Sequence, residues 1–340
     1  MKDIRKDVFI VAELSANHNN DLQLAIRTIE AIARSGADAV KVQTFTADSL
    51  TLDVDNEYFG PRKEGLWKGR RLFELYQQGA LPFEWHETLQ KVAIDNGLIF
   101  FSAPFAKKDV DFLETLDIPI YKVASPEITD IPLISYLASK RKPMIISTGM
   151  ADEEDIRLAL DTCEKEGNKD VTLLKCTSEY PARPEMANLL TIPDMKQRFG
   201  VRVGLSDHTL GSTVPIAAVA LGATVIEKHF ILDRNLGGID SAFSMEPAEF
   251  AQMAKGARDA YASLGEISYE LTERNKLRRR SLFATEDIQA GDIFTEQNIR
   301  SVRPGYGLHP KYYQDIFGKK ARNCIKFGEG LSLDDIDDSI

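Results

Sequence analysis

The chain has 340 residues, of which 43% are hydrophobic and 28% are charged. This balance is typical of a globular protein and excludes a disordered chain, a collagen and a disulfide-rich scaffold. The net charge of −10 argues against nucleic acid as the main partner. The longest apolar stretch, residues 213–226, contains Pro215 and Gly222 and is too short to span a membrane. The N-terminus shows no convincing signal peptide, so we expect neither a membrane nor a nucleic-acid role.

The cysteines give an expectation about the cellular compartment. Cys163, Cys176 and Cys324 lie far apart, and no CxxC motif is present. Three cysteines cannot all pair within one chain. We therefore expect buried, reduced thiols and a cytoplasmic protein.

Short apolar runs recur through the first 265 residues, and most are separated by amphipathic helical patterns. They are rich in Val and Ile and mostly continuous, as parallel strands buried on both faces should be. The runs are Val8–Leu14, Ala39–Phe45, Leu98–Phe105, Pro119–Ser125, Met144–Met150, Val171–Thr177, Val201–His208 and Thr224–Phe230. Eight such units predict an α/β fold, the (β/α)8 TIM barrel. A doubly wound open sheet is the alternative, which the absence of GxGxxG after the first run disfavours.

Two features interrupt the barrel pattern. The connection Thr46–Leu81 is unusually long, carries a helical pattern near Arg70–Gln78, and is typical of a lid or a binding loop. After Gly265 the composition changes. We predict a barrel domain over 1–265, a solvated linker over 266–280 and a small domain over 281–340, which we expect to depend on the barrel or on a partner subunit.

Residues suited to chemistry follow the ends of the predicted strands, where barrel enzymes place their active sites. Lysines and hydroxyls suggest a pocket for phosphate or carboxylate, and Glu13 and Glu127 are acid/base candidates. The anion-pocket candidates are Lys41, Lys122, Ser102, Ser125, Ser147 and Ser206. His208 and His229 end adjacent strands and could hold Mn²⁺ or Mg²⁺, or they could be ordinary packed histidines. His86, within a helical pattern, is expected on the surface.

Several motifs together resemble the sialic acid synthase family, whose members carry a C-terminal antifreeze-like (SAF, β-clip) domain. The barrel motifs are AELSANH, VKVQT, YKVASPE, STGM, LKCTSEYP, GLSDHT and VIEKHF, and the C-terminal ones are RSLFATEDIQAGD and SVRPGYG. They cover nearly the whole chain in the order of the family. A non-catalytic binding protein is disfavoured, because the matching Glu, Lys and His positions are all present.

The resemblance implies an enzyme that condenses phosphoenolpyruvate with an N-acyl amino sugar, giving a nine-carbon 2-keto acid and phosphate. It implies a domain-swapped homodimer that needs Mn²⁺, with Mg²⁺ or Co²⁺ as alternatives. His208 and His229 would bind the metal. Phosphoenolpyruvate would be held by Lys41, Lys122, Ser125, Ser147 and Ser206. Lys122 would also serve catalysis, Glu13 would position the reacting groups and water, and Glu127 would be the acid/base near the sugar.

The resemblance also assigns the sugar contacts. Tyr180 and Asp240 would touch the sugar, and Arg303 would reach into the partner subunit's barrel to bind the N-acyl group. Ser178 stands by the pocket where neuraminic acid synthases often have Asn, and Ala103 stands where many relatives have Thr, so both leave the exact sugar open. Within the resemblance, the exact residues of the motifs favour 2,4-diacetamido-2,4,6-trideoxy-L-altrose as the sugar substrate over a mannose-configured amino sugar.

Overall fold

The structure is a computed structural model that describes residues 8–65 and 67–337. Within these residues the chain forms two compact units that divide after Gly265. The first seven and the last three residues of the predicted domains lie outside the described residues.

The first unit is a closed barrel of eight parallel strands, which confirms the predicted fold class. The strands pair in sequence order and the last pairs with the first, so the sheet has no free edge. They are β1 (Phe9–Glu13), β2 (Ala39–Thr44), β3 (Ile99–Pro104), β4 (Tyr121–Val123), β5 (Met144–Ser147), β6 (Val171–Cys176), β7 (Arg202–Asp207) and β8 (Val225–His229). Each strand lies within one of the predicted apolar runs.

Helices follow the strands and pack on the outside of the barrel. They are α1 (Leu22–Arg34), α2 (Ala47–Leu50), α3 (Leu72–Gly79), α4 (His86–Asp95), α5 (Lys107–Thr115), α6 (Ile131–Ser139), α7 (Glu153–Lys165), α8 (Thr191–Phe199), α9 (Thr213–Ala220) and α10 (Pro247–Leu264). The Asp21 carboxylate caps α1 by accepting from two backbone N–H groups. In the long connection, α3 begins two residues later than the predicted helical pattern. No helix in the described ranges is long and apolar enough to cross a membrane.

Side-chain alternation along the strands divides the barrel into an inner and an outer layer. Phe9 and Val11 of β1 belong to an apolar cluster with Phe101 and Leu174, whereas Ile10 belongs to the core against the helices. The next inward position on β1 after Phe9 and Val11 is Glu13. The inside of the barrel is therefore apolar at the end where the strands begin and polar at the end where they finish.

The second unit has a small core of its own. It contains α11 (Glu273–Leu277), β9 (Ser281–Ala284), β10 (Ile299–Val302), β11 (Lys320–Ala321) and β12 (Ile336–Asp337). Strands β9 and β10 pair with each other, as do β11 and β12. Leu282, Phe294 and Ile299 are fully buried in its core. The segment predicted as a plain linker thus contains a short helix.

Two expectations about individual side chains are wrong. Cys163 and Cys176 are buried as predicted, but Cys324 is exposed, because the small core of the second unit leaves it outside. His86 is buried rather than on the surface. It lies at the start of α4, where one ring nitrogen bonds to the Thr44 hydroxyl and the other to the Pro82 carbonyl.

Gly204 is required by close approach inside the barrel, and this gives a stability prediction. A Cβ at this position would lie 2.4 Å from the Val225 carbonyl oxygen and 2.6 Å from a Leu174 methyl. We expect Gly204→Ala to lower the free energy of unfolding by about 1–3 kcal/mol, because the inner layer must move to accept it. Urea unfolding measures the change. Glu154→Ala, on the exposed face of α7, is the control and should change it by less than about 0.5 kcal/mol. Equal effects of the two variants would contradict the close-packed inner layer.

Candidate active site at the C-terminal end of the barrel

A network of buried charges lies at the C-terminal ends of the strands. Lys41 Nζ is 3.0 Å from Glu13 Oε2 and 3.0 Å from Glu227 Oε1. Lys122 Nζ lies 4.0 Å from the same Glu227 oxygen. All four side chains are at most 4% exposed. Strand pairing sets this contact, because Glu13 of β1 is the register partner of Lys41 of β2.

The pKa values follow from this pairing. Burial would raise the pKa of Glu13, but the charge of Lys41 and the hydrogen bonds from Lys41 and Gln43 outweigh burial and hold the pKa well below its ordinary value. Burial likewise opposes the charge on Lys41, yet Glu13 and Glu227 raise its pKa. Burial lowers the pKa of Lys122, which Glu227 only partly offsets. The pKa of Lys41 is therefore above the ordinary lysine value and that of Lys122 is below it, so Lys41 holds its proton more firmly.

Hydroxyl groups surround the space beside Lys122. Its ammonium donates to Ser147 Oγ at 2.7 Å. The Gly149 backbone N–H donates to Ser125 Oγ at 3.1 Å, and a Cβ at Gly149 would lie 2.4 Å from Ser178 Oγ. Only a glycine leaves these groups that close together. Cation, hydroxyls and backbone N–H groups in one small cradle are the donors that a phosphate oxygen uses.

His208 and His229 lie together, with their ring centroids 5.3 Å apart. His208 Nδ1 donates to the Thr177 carbonyl at 2.9 Å, so the lone pair of that ring is on Nε2. His229 Nε2 is 3.3 Å from Glu13 Oε2, and its buried Nδ1 has no hydrogen-bond partner in the part of the chain that the structure describes. Each imidazole thus offers one nitrogen lone pair, which fits a pair of metal ligands.

The described residues contain no group of three or more His, Cys, Asp or Glu side chains arranged to hold a metal. A divalent cation on His208 and His229 would therefore take its remaining ligands from substrate or water oxygens. That is the open coordination of a catalytic rather than a structural site.

Tyr180 and Asp240 lie close to the two histidines. The Tyr180 ring is 4.4 Å from the His208 ring, centroid to centroid. Asp240 Oδ2 lies 3.9 Å from His229 Nδ1 and accepts a hydrogen bond from the Ser15 hydroxyl. These contacts place both predicted sugar-binding residues beside the histidine pair.

Glu127 is a half-buried acid without a cation in direct contact. It lies in a short 3₁₀ helix, Ser125–Thr129, after β4. Burial raises its pKa to about 7, although Lys122 draws the pKa down. Across the described residues, nothing bonds to its Oε2 atom. The Glu127 carboxyl can therefore hold or release a proton near neutral pH.

The structure brings most of the predicted site residues together, with two exceptions. Ser102 points the other way, because it shares the outward parity of Phe100 on β3, and its hydroxyl bonds to Thr44 Oγ1 at 2.6 Å. Thr44 in turn bonds to His86 of α4, so Ser102 connects β3 to the helix layer, and its role in substrate binding stays a prediction. Arg303 lies in the second unit, where its side chain is exposed, and its role remains a prediction.

Two residues were missing from the predicted set. Glu227 joins Lys41 and accepts from Ser206 Oγ at 3.0 Å, and the Gln43 amide donates to Glu13 Oε1 at 2.8 Å. The alternation of side chains along each strand could have identified Glu227 and Gln43 as members of the site. Glu227 is two residues before His229, and Gln43 is two residues after Lys41, so each shares the inward face of its neighbour.

Comparison with known proteins identifies a family for each part of the chain. The model of the NeuB family matches residues 28–269, and that of the SAF domain matches residues 279–337. This chain belongs to the NeuB family. The match confirms the resemblance of the sequence motifs to the sialic acid synthases and their C-terminal domain.

Differently named synthases align with most of the chain. The chain is 47% identical to the pseudaminic acid synthase of Campylobacter jejuni, over 97% of each protein. It is 36% identical to the N,N'-diacetyllegionaminic acid synthase of Legionella pneumophila, over 97% of this chain and 94% of that protein. The crystal structure of N-acetylneuraminic acid synthetase from Leptospira borgpetersenii, in complex with citrate, is 32% identical. It superposes with a TM-score of 0.70 over 79% of this chain and 89% of that one.

Removing Lys41 should show how strongly the buried network depends on it. Lys41→Met leaves the Glu13 and Glu227 carboxylates buried without their shared cation. We expect the free energy of unfolding at pH 7 to fall by about 3–5 kcal/mol. At pH 5 the loss should be smaller, because the pKa values of both carboxyls rise without Lys41 and protonation then relieves the buried charge. Urea unfolding at the two pH values measures this.

The control is an exposed lysine that also pairs with a carboxylate. Lys91 bonds to Asp95 on the surface of α4. Lys91→Met should lower the free energy of unfolding by less than about 1 kcal/mol at either pH. A Lys41→Met loss as small as this would mean that the buried network is not held by its charges.

Proposed function

We propose that this NeuB-family chain is a pseudaminic acid synthase. It condenses phosphoenolpyruvate with 2,4-diacetamido-2,4,6-trideoxy-L-altrose and water, forming a carbon–carbon bond and releasing phosphate by C–O cleavage. The observation that carries the chemistry is the meeting of two buried lysines with two histidines at the C-terminal end of one barrel. Lysines suit an anion with phosphate and carboxylate groups, and the histidines suit a cation that activates an aldehyde.

The protein groups divide the reaction between them. Lys41, Lys122 and the hydroxyls of Ser125, Ser147 and Ser206 bind phosphoenolpyruvate and stabilise the phosphate that leaves. Carbon C3 of the enol attacks the sugar aldehyde, and the positive charge that develops at C2 faces Glu13. The Glu13 carboxylate positions the water that adds at C2, after which the tetrahedral product expels phosphate.

His208 and His229 would hold the divalent cation, for which we propose Mn²⁺, with Mg²⁺ or Co²⁺ as alternatives. A cation there would polarise the aldehyde oxygen. Glu127, with its pKa near 7, supplies or accepts the proton on the sugar side.

Sequence identity favours the pseudaminic substrate. The identity is 47% to a pseudaminic acid synthase and 36% to a diacetyllegionaminic acid synthase, with nearly the same coverage. Synthesis of N-acetylneuraminic or legionaminic acid from a mannose-configured sugar is the alternative. The proposal includes a domain-swapped homodimer in the cytoplasm, in which the partner subunit's Arg303 binds the N-acyl group of the sugar.

Phosphate release from phosphoenolpyruvate with Mn²⁺ tests this proposal, with the altrose-configured sugar and two mannose-configured sugars offered in parallel. We expect release with the altrose-configured sugar alone, and none in the presence of a chelator or in His229→Ala. Release with a mannose-configured sugar alone would keep the chemistry and overturn the substrate. Full activity of His229→Ala in chelator would overturn the metal site.

The pKa of Glu127 predicts the pH dependence of the reaction. If its carboxyl must carry a proton, kcat/KM falls as the pH rises through about 7, because the acid then ionises. Glu127→Gln should lower kcat about 100-fold and abolish this limb of the profile. The exposed control Glu154→Gln should keep the wild-type kcat and the same fall of kcat/KM above pH 7. An unchanged limb in Glu127→Gln would assign the titration to another group.

A further inference from the structure

A buried pair of opposite charges lies at the ends of β7 and β8, on the side of the strands that faces the helices. The Lys228 ammonium bonds to the Asp207 carboxylate, and the two side chains are 0% and 3% exposed. The two residues are register partners, so strand pairing brings them together. Neither residue belongs to the network around Lys41 that lies inside the barrel.

This pair interrupts an apolar layer. Outward positions alternate with inward ones along each strand, and the outward residues before the pair are Val203 and Leu205 on β7 and Ile226 on β8. All three belong to the core that packs against the helices. Replacing a buried ion pair by apolar side chains of similar volume is often neutral or stabilising. Stability alone therefore does not explain why this layer ends in two charges.

Lys228 and Asp207 together fix the segment 207–209. The Lys228 ammonium also donates to the Thr209 carbonyl. The Thr209 backbone N–H donates to Asp207 Oδ1 at 3.1 Å, and its hydroxyl donates to Asp207 Oδ2 at 3.0 Å. Thr209 is buried like its two partners. His208 lies between Asp207 and Thr209 in the chain, so the residues on both sides of it are bonded to Lys228.

The same pair is attached to both histidines through the backbone. His208 directly follows Asp207, and His229 directly follows Lys228. Because side chains alternate, residues held on the outer face direct the next residues to the inner face. There the two imidazole centroids are 5.3 Å apart. A contact that joins the two strand ends on the outside therefore bears on the separation of the two rings inside.

We propose that Lys228 and Asp207 are positioning residues that set the separation and direction of His208 and His229 for a divalent cation. Both act through the backbone, from the outer face of the strands. The inference rests on the proposed function, in which the two histidines hold that cation. Mutation of residues that orient metal ligands typically lowers metal affinity about 10–100-fold. The pair should thus affect the affinity for the cation and not the affinity for phosphoenolpyruvate.

Binding of Mn²⁺ to the full chain tests this, with free Mn²⁺ measured by electron paramagnetic resonance. The test variant combines Asp207→Asn with Lys228→Met, which removes both charges and keeps side chains of similar size. We expect its Kd for Mn²⁺ to rise about 10–100-fold. Its Kd for phosphoenolpyruvate, measured by calorimetry in chelator, should stay within about twofold of the wild type, because the proposed lysine ligands lie on β2 and β4. Circular dichroism confirms that each variant is folded.

The matched control changes an ion pair at the other end of β7. Arg202, the first residue of β7, bonds to Asp170. Asp170→Asn with Arg202→Met makes the same kinds of substitution and should leave both Kd values within about twofold of the wild type.

Thr209→Val is a milder variant, which removes the hydroxyl donor to Asp207 and keeps the shape of the side chain. We expect its Kd for Mn²⁺ to rise at least about threefold, as partial loss of one hydrogen bond gives. This variant decides the question if the double variant does not fold, and a smaller rise would then overturn the positioning role.

The outcomes separate the two proposals. If the wild type binds no Mn²⁺, or if His229→Ala binds it as tightly as the wild type, the proposed metal site is wrong and this inference falls with it. If His229→Ala weakens binding but the folded double variant raises the Kd by less than about tenfold, the positioning role alone is overturned. An equal rise in the control, or in the Kd for phosphoenolpyruvate, would also overturn it, because the barrel would then have loosened as a whole.

Discussion

Lys41 between Glu13 and Glu227 is the interaction on which the site depends. Two carboxylates buried this deeply would each take up a proton if they were alone, and a buried lysine would lose one. Placed 3.0 Å apart they keep each other charged. Strand pairing delivers them, since β1 and β2 bring Glu13 and Lys41 into register. The closed barrel therefore stabilises this buried network of charges.

The same alternation that builds the core builds the site. Inward positions are apolar at one end of the barrel, as at Phe9 and Val11, and polar at the other, as at Glu13. Continuous apolar runs made the strands predictable, and their polar ends pointed to the location of the site. Loop geometry adds what strands cannot, as at Gly149, where the missing side chain lets two serine hydroxyls approach the backbone.

The sequence could predict which residues cluster, but less well which way each one points. Ser102 lies at a polar strand end like the others, yet one step of parity turns it towards His86 and the helices. Glu227 was not predicted, because its role depends on a contact with Lys41 of β2, which is far from β8 in the sequence but separated from it in the barrel by β1 alone. The position of Trp67, whose ring lies 6.2 Å from that of Tyr180, could not be predicted, because the long connection around it has no regular pattern.

The strand ends and the loops contribute differently to substrate specificity. The charged groups lie on strand ends that are locked by pairing on both sides, so they have little freedom to adapt to a new substrate. The residues proposed to contact the sugar lie in loops, and a few amide hydrogen bonds join the loops of this region, as where Asn19 donates to the Leu236 carbonyl. A change in these loops leaves the strand contacts of Lys41 with its carboxylates in place. Relatives named for different sugars can therefore share the same barrel, and the choice of sugar must be sought in the loops.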